Sequence, residues 1–187
     1  QAAANKQPVA ANNLGTLYRD GRGVAADQQE AARWFRAAAD AGDAMGQYNL
    51  ATLLEANPAA MDEALAWYRR AAEQKLAAAQ SRLGWLLLER GEDAEAVKWL
   101  TRAAEQNDAQ AQNNLGVMHE TGRAVEKNPA TAASWYRRAA VAGDAAAQNN
   151  LGALLRDGLG VPQNYVEAAE WFKRAADQGY AKAMLNL

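Results

Sequence analysis

The chain has 187 residues, half of them hydrophobic, with 22 acidic residues, 20 basic residues and no cysteine. The absence of cysteine excludes disulfides and thiolate-bound metals, and a formal net charge of −2 argues against a nucleic-acid partner, which selects a basic surface. No apolar run approaches the roughly 18 residues that a membrane span needs, so we expect no membrane span.

Tryptophan and leucine mark an internal repeat. The register tryptophans are Trp34, Trp67, Trp99, Trp135 and Trp171. The register leucines are Leu14, Leu50, Leu83, Leu115, Leu151 and Leu187. Each tryptophan is followed by the next leucine after 16 residues, whereas each leucine is followed by the next tryptophan after 20, 17, 16, 20 and 20 residues. All variation in length therefore falls in one of the two connections.

Each unit predicts two helices, a Leu helix and a Trp helix, named after their register residues. In the Leu helix a small residue lies four positions before the leucine, and a glycine follows it everywhere except at Ala51. Because glycine within a helix costs about 1 kcal/mol relative to alanine, its recurrence predicts that another helix packs closely there. The Trp helix has alanine three residues before and four residues after the ring. This stripe predicts that the register tryptophans anchor the packing.

Capping signals support these helices. Asp27, Asn128 and Asn164 each lie seven residues before a register tryptophan and are the expected N-caps. The segments "DQQE" and "NYVE" are capping-box patterns, in which Glu30 and Glu167 are expected to reach back to the cap. The expected left-handed C-cap positions are Gly42, Lys75, Asn107, Gly143 and Gly179. Lysine is unusual at such a position, and the sequence offers no reason for it.

The patterns together predict an all-α fold, a right-handed α-solenoid of stacked antiparallel helix pairs in a single repeat domain covering 1–187. The predicted repeats are 10–43, 44–78, 79–110, 111–146 and 147–182. Segment 1–9 is expected to end a preceding unit, with Ala2 and Ala3 in its paired-alanine positions, and 183–187 to begin a sixth helix. We therefore expect a window from a longer array.

The segment "NNLGTLYRDGRGVAADQQEAARWFRAAADAGDA" at 12–44 strongly resembles a Sel1-like repeat, a relative of the tetratricopeptide repeat. The matching residues are Leu14, Gly15, Tyr18, Gly21, Gly23, Val24, Asp27, Ala31, Trp34, Phe35, Ala38, Ala39 and Gly42. Repeats 111–146 and 147–182 are similar, and the two central units have a shortened, tetratricopeptide-like loop. The resemblance covers essentially the whole chain.

This resemblance implies a non-catalytic scaffold or adaptor that binds a protein or an extended peptide in the concave groove of the solenoid. It also implies a bacterial source and a periplasmic or secreted location, with the cytoplasm as the alternative. One alternative function is a structural or self-assembling spacer. Another is a peptidoglycan- or sugar-processing enzyme, although no paired acids are placed for that chemistry. Ends of the array near Leu185 and Leu187, or near Pro8 and Val9, are expected to allow end-to-end self-association.

The sequence indicates no catalytic residue, cofactor site or metal site. The single histidine, His119, lies at a position that other repeats fill with tyrosine or leucine, so we expect it to pack between helices. The loops "GRGVAAD" and "GLGVPQN" lack the preceding strand and the Lys-Ser/Thr ending of a phosphate-binding loop.

Asparagine recurs directly before the register leucine, at Asn13, Asn49, Asn114 and Asn150. In relatives of this fold the first helix of each pair lines the concave groove. The resemblance therefore implies that these amides bind the backbone of an extended peptide. The alternative is structural, with the amides bridging neighbouring helices, because a buried amide must be satisfied. Positions two before, two after and five after the leucine are expected to face solvent and to set specificity.

Trp85 departs from the tryptophan register. It lies in a Leu helix, two residues after the leucine, where the other repeats carry threonine, valine or alanine. Together with Leu88, Tyr48 and Arg82 it is predicted to form an apolar binding patch midway along the concave face, since aromatic and arginine residues are common binding anchors. The alternative is that Trp85 fills space left by the shortened loops.

Overall fold

The computed structural model describes residues 6–187 and contains eleven α-helices in that range, with no strand among the described residues. The Leu helices are α1 (Lys6–Asp20), α3 (Ala44–Glu55), α5 (Ala77–Glu89), α7 (Ala109–Thr121), α9 (Ala145–Asp157) and α11 (Ala181–Asn186). The Trp helices are α2 (Gln28–Asp40), α4 (Met61–Glu73), α6 (Asp93–Glu105), α8 (Pro129–Val141) and α10 (Tyr165–Asp177). A 3₁₀ turn, Pro58–Ala60, precedes α4.

The chain divides into two compact units, one ending at Leu83 and the other covering Gly84–Leu187. In the first unit α1 packs on α2, α2 on α3 and α3 on α4, and α1 also contacts α3. In the second unit each helix from α6 to α10 packs on the one that follows it. The predicted fold class, an all-α solenoid of stacked helix pairs, is confirmed. Of the predicted segment 1–9, the part that includes Ala2 and Ala3 lies outside the described residues, and residues 6–9 belong to α1.

The most deeply buried large side chain of each Trp helix is the residue after the register tryptophan. These residues are Phe35, Tyr68, Leu100, Tyr136 and Phe172. The tryptophans themselves lie at the edge of the core. Trp67, Trp99 and Trp171 are buried, whereas Trp34 and Trp135 are only partly covered. The prediction that the register tryptophans anchor the packing is therefore correct for three repeats and too strong for the other two.

The glycine after the register leucine lies directly against this buried residue, as predicted from its recurrence. A Cβ added to Gly15 would lie 2.6 Å from the Phe35 ring. One added to Gly152 would lie 2.8 Å from the Phe172 ring. Real Cβ atoms do not approach other atoms so closely, so a larger residue requires the ring or the helices to shift. Gly84 and Gly116 make the same close approach to Leu100 and Tyr136.

The N-caps of the long connections form as predicted. The Asp27 carboxylate accepts hydrogen bonds from the backbone N–H groups of Gln29 and Glu30, and Asn128 and Asn164 cap α8 and α10 in the same way. The reciprocal half of the capping box was predicted wrongly. The backbone N–H of Asp27 donates to the carbonyl of Tyr18 at 2.9 Å, which closes the interhelix loop, and the Glu30 side chain pairs with Arg33 instead.

Lys75 occupies its C-cap position in the left-handed conformation, with φ +67°. Its counterparts Gly42, Gly143 and Gly179 are glycines with positive φ, and Asn107 adopts φ +66°. A Cβ costs roughly 1–2 kcal/mol in this conformation, and Lys75 is exposed. The fold therefore imposes the same C-cap here without the residue best suited to it.

Lys75→Gly should stabilise the protein by about 0.5–1 kcal/mol, because relief of left-handed strain exceeds the added flexibility of the unfolded chain. Urea unfolding followed by circular dichroism measures the change. Lys75→Ala is the matched control: it removes the charge but keeps the Cβ, and it should leave stability close to that of the original protein. A Lys75→Gly variant no more stable than Lys75→Ala would contradict this explanation.

Candidate binding surface

Part of the predicted asparagine column forms hydrogen bonds between successive repeats. Asn49, which is 7% exposed, donates from its amide nitrogen to the Oδ1 of Asn12 at 2.7 Å. Asn150 donates to Asn113 at 3.1 Å. Asn186 repeats this bond to Asn149 at 2.9 Å. In each pair the donor lies 37 residues after the acceptor, so the amides bridge neighbouring Leu helices. This geometry favours the structural interpretation of the column.

The remaining column residues are more accessible. Asn13 is exposed and Asn114 is half-buried. The position two before the leucine was expected to face solvent, and this prediction is wrong for Asn12, Ser81 and Asn149, which are buried. The amide of the following repeat covers Asn12 and Asn149, an arrangement that the spacing within one helix does not reveal.

Arg82 and Tyr48, two residues of the predicted patch, belong to a polar cluster in the first unit. Arg82 forms an ion pair with Glu55, and Glu55 also accepts a hydrogen bond from the Tyr68 hydroxyl at 2.8 Å. Burial opposes ionisation of Glu55, but the hydrogen bonds from Arg82 and Tyr68 outweigh it and hold the pKa of this carboxyl below its usual value. Tyr48 contacts the Tyr68 ring edge-on, with centroids 5.6 Å apart.

The residue five positions after the leucine is matched to the buried residue of the Trp helix. Where that buried residue is tyrosine, the partner is glutamate: Glu120 accepts from the Tyr136 hydroxyl at 2.5 Å, as Glu55 does from Tyr68. Where it is phenylalanine, the partner is arginine, whose guanidinium lies over the ring. The pairs are Arg19 over Phe35 at 5.9 Å and Arg156 over Phe172 at 6.0 Å. These side chains therefore have a packing role within each repeat.

Trp85 and Leu88 lie in the second unit. Trp85 is 36% exposed, and Val117, at the same position of the next Leu helix, is 39% exposed. Leu88 is half-buried against the core cluster that contains Leu100, and its carbonyl accepts a hydrogen bond from Arg123 at 2.5 Å. In α5 and α7 the position two after the leucine therefore presents an exposed apolar side chain.

A glutamine three residues before the leucine was missed by the sequence analysis. In four Leu helices its side-chain amide is buried and donates to the carbonyl of the last core alanine in the preceding Trp helix. The pairs are Gln47 to Ala39, Gln80 to Ala72, Gln112 to Ala104 and Gln148 to Ala140, at 2.9–3.3 Å. The recurring glutamine in "AQNNLG" was visible in the sequence, but its partner is a backbone carbonyl, which carries no sequence signal.

Among the described residues, we find no group of side chains arranged for catalysis. His119 is half-buried, with its Nδ1 3.3 Å from the carbonyl oxygen of Glu126, so it ties the helix to the following loop. Among residues 6–187, no cluster of three or more histidines or carboxylates is arranged to hold a metal ion. No helix in the same range has the length and apolar character needed to cross a bilayer.

These features define an α-solenoid built from helix-pair repeats, without a catalytic constellation among the described residues. A family model for the Sel1 repeat matches residues 8–43, 44–76, 77–108, 109–144 and 145–180. The chain belongs to the Sel1 repeat family. Comparison with curated protein sequences finds no match.

Solved structures agree with this assignment. A Sel1 repeat protein from Oxalobacter formigenes is 34% identical with a TM-score of 0.88, over 96% of this chain and 76% of that one. The antigen c5321 of uropathogenic Escherichia coli, described as having an SLR fold, is 32% identical with a TM-score of 0.87 over 98% of this chain. The match spans only 43% of that antigen. Cysteine rich protein B of Helicobacter pylori is 26% identical with a TM-score of 0.55, over 67% of this chain and 93% of that one.

The Asn12–Asn49 bond should contribute to stability. In a double-mutant cycle with Asn12→Ala and Asn49→Ala, we expect a coupling of about 1 kcal/mol, the usual net value of a buried neutral hydrogen bond. Chemical unfolding of the four proteins measures it. Asn13→Ala is the control, and should change stability by less than about 0.5 kcal/mol because Asn13 is exposed. Simple additivity of the two single changes would refute the bridging role.

Proposed function

We propose that this chain is a non-catalytic scaffold that binds a protein or an extended peptide on the exposed surface of its Leu helices. The Sel1 repeat fold supports this, because stacked helix pairs present side chains from successive repeats in a fixed register. A rigid surface of this kind reduces the ordering cost of binding.

The observation that carries the proposal is the exposure of Trp85. Burying a tryptophan is strongly favourable, and this chain buries Trp67, Trp99 and Trp171 at the edge of its core, with Trp34 and Trp135 partly covered. Trp85 instead keeps 36% of its surface exposed, on a Leu helix where other repeats carry smaller residues. An exposed tryptophan on a rigid helix is a typical anchor for a protein partner.

The other residues predicted from the sequence to bind a partner have different roles, each within its own unit. Leu88 is half-buried beside Trp85 in the same helix. Arg82 and Tyr48 form the cluster with Glu55 and Tyr68, so in our proposal they hold the shape of the surface in the first unit. The more accessible asparagines, Asn13 and Asn114, are proposed to meet the partner's backbone, whereas Asn150 is proposed to act through its bond to Asn113. Asn49 is proposed to act only through its bond to Asn12.

Self-association is the second candidate. Met184, Leu185 and Leu187 are exposed, with Leu185 at 88%, and Val9 in α1 is 49% exposed. This candidate requires a second copy of the chain, which binds in an end-to-end contact. Light scattering over a concentration series separates it from the scaffold proposal: a monomer at all concentrations excludes self-assembly.

We further propose a periplasmic or secreted location, with the cytoplasm as the alternative. Fractionation of cells that express the natural full-length gene product decides between them. No observation among the described residues favours the sugar-processing alternative.

Trp85→Ala should leave the protein folded but weaken partner binding by at least about 30-fold, the loss typical of a tryptophan anchor. The partner is first captured from an extract of the source organism with the original protein, and its affinity is then measured by calorimetry. Trp99→Ala is the matched control, because Trp99 is buried and should lose roughly 3 kcal/mol or more of stability. A Trp85→Ala protein that loses stability like the control, or keeps its affinity, would refute the proposed anchor.

A further inference from the structure

The buried glutamine column has one member with an unsatisfied oxygen. Gln112 is 2% exposed, and its amide nitrogen donates to the carbonyl of Ala104 at 3.1 Å. Its Oε1 has no hydrogen-bond partner within the described part of the chain. Leaving a buried acceptor without a donor is costly, so such an atom requires an explanation.

Two sister repeats show what normally satisfies this oxygen. The Oε1 of Gln148 accepts a hydrogen bond from the side chain of Gln178 at 2.8 Å. The Oε1 of Gln47 accepts one from Gln74 at 2.9 Å. Both donors lie seven residues after their register tryptophan, just beyond the Trp helix. In the repeat of Gln112 this position is Ala142, which has no side-chain donor.

A pocket of about 440 Å³, open to the protein surface, has Gln112 and Ala142 in its lining, and the Gln112 Oε1 atom lies just beneath the accessible surface. The pocket is lined by Asn107, Gln112, Arg137, Arg138, Val141 and Ala142. Arg138 stacks on the Trp135 ring at 4.6 Å and donates to the Ala104 carbonyl, while Arg137 pairs with Glu167 at 2.7 Å. Val141, at the rim, is 73% exposed. The walls are therefore held in place by the chain's own contacts.

The lining restricts the chemistry of an occupant. The group must donate a hydrogen bond to Gln112 Oε1, which a carboxylate cannot do at neutral pH. Two guanidinium groups disfavour a lysine ammonium in the same space. They also offer spare N–H donors for a carbonyl oxygen, since each guanidinium has five. A neutral group with both a donor and an acceptor fits these requirements, and a primary carboxamide supplies both.

We propose that this pocket is a binding site for a glutamine side chain of a partner polypeptide, which takes the place that Gln178 and Gln74 fill in their own repeats. This glutamine pocket lies beside the C-terminal end of a Trp helix and so goes beyond the surface around Trp85. It depends on the proposed scaffold function only for the source of the glutamine. The pocket can be tested with a small probe even if the Trp85 proposal fails.

The test uses N-acetyl-glutamine methylamide as the probe, with the side-chain amide resonances of Gln112 followed by NMR. We expect saturable shifts with a dissociation constant on the order of millimolar, as suits so small a ligand. The glutamate and alanine analogues carry the same backbone amides and should produce shifts at least about fivefold smaller at equal concentration. An equal response to the alanine analogue would show recognition of backbone alone, and a stronger response to glutamate would show an anion site. Either result overturns the proposal.

Two variants complete the experiment. Ala142→Gln should fill the pocket from within, raise the unfolding midpoint by about 2–4 °C and abolish the Gln112 response. Gln178→Ala is the reciprocal variant, and should create a second pocket in which the probe shifts the Gln148 amide. If Ala142→Gln leaves the probe response intact, or Gln178→Ala creates none, the assignment of the pocket to glutamine is wrong.

Discussion

The close contact between each Leu helix and the Trp helix that follows it is the constraint on which each repeat depends. A glycine after the register leucine allows the backbone to lie directly on a buried ring or leucine, as at Gly15 and Phe35 or Gly152 and Phe172. Hydrophobic burial then comes from a few large side chains set among alanines. Because the helices are so close, polar side chains along the contact must find partners within the repeat or in the next one.

This requirement accounts for the polar pattern of the Leu helices. Glu120 and Arg156 occupy one register position with opposite charges, yet each matches the ring beside it, a tyrosine hydroxyl for Glu120 and a phenylalanine face for Arg156. Asn49 bridges to the preceding repeat and Gln148 to a helix end. The position two after the leucine differs between repeats: Thr52 contacts the Tyr68 hydroxyl at 3.1 Å, whereas Trp85 and Val117 are exposed. In our proposal, recognition uses the exposed side chains at this position.

The sequence predicted the helices, the positions of their N-caps and C-caps and the close approach at glycine, because these depend on spacing within about one repeat. It did not predict which polar side chains face solvent. Asn12 looks like a surface residue within its own helix, but Asn49, 37 residues later, covers it. The sequence did not predict the role of Arg82 for the same reason. Arg82 pairs with Glu55, which also binds the Tyr68 hydroxyl, and both of these residues come from other helices. Lys75 shows the converse, a fold that imposes a backbone conformation against local preference.

The unfolding free energy of a Gly116→Ala variant tests the central contact most directly. Replacing glycine by alanine stabilises a helix, whereas overpacking against a neighbouring ring destabilises the protein, so the sign of the change shows which effect is larger. With free space beside Gly116, alanine would stabilise the helix by up to about 1 kcal/mol. If the Tyr136 ring occupies that space, as the structure shows, overpacking should destabilise the protein by roughly 1–3 kcal/mol. Ala51→Gly is the control, because Ala51 is the one alanine that follows a register leucine and it is fully buried. A net loss for Gly116→Ala is the predicted result, and a gain would contradict the account.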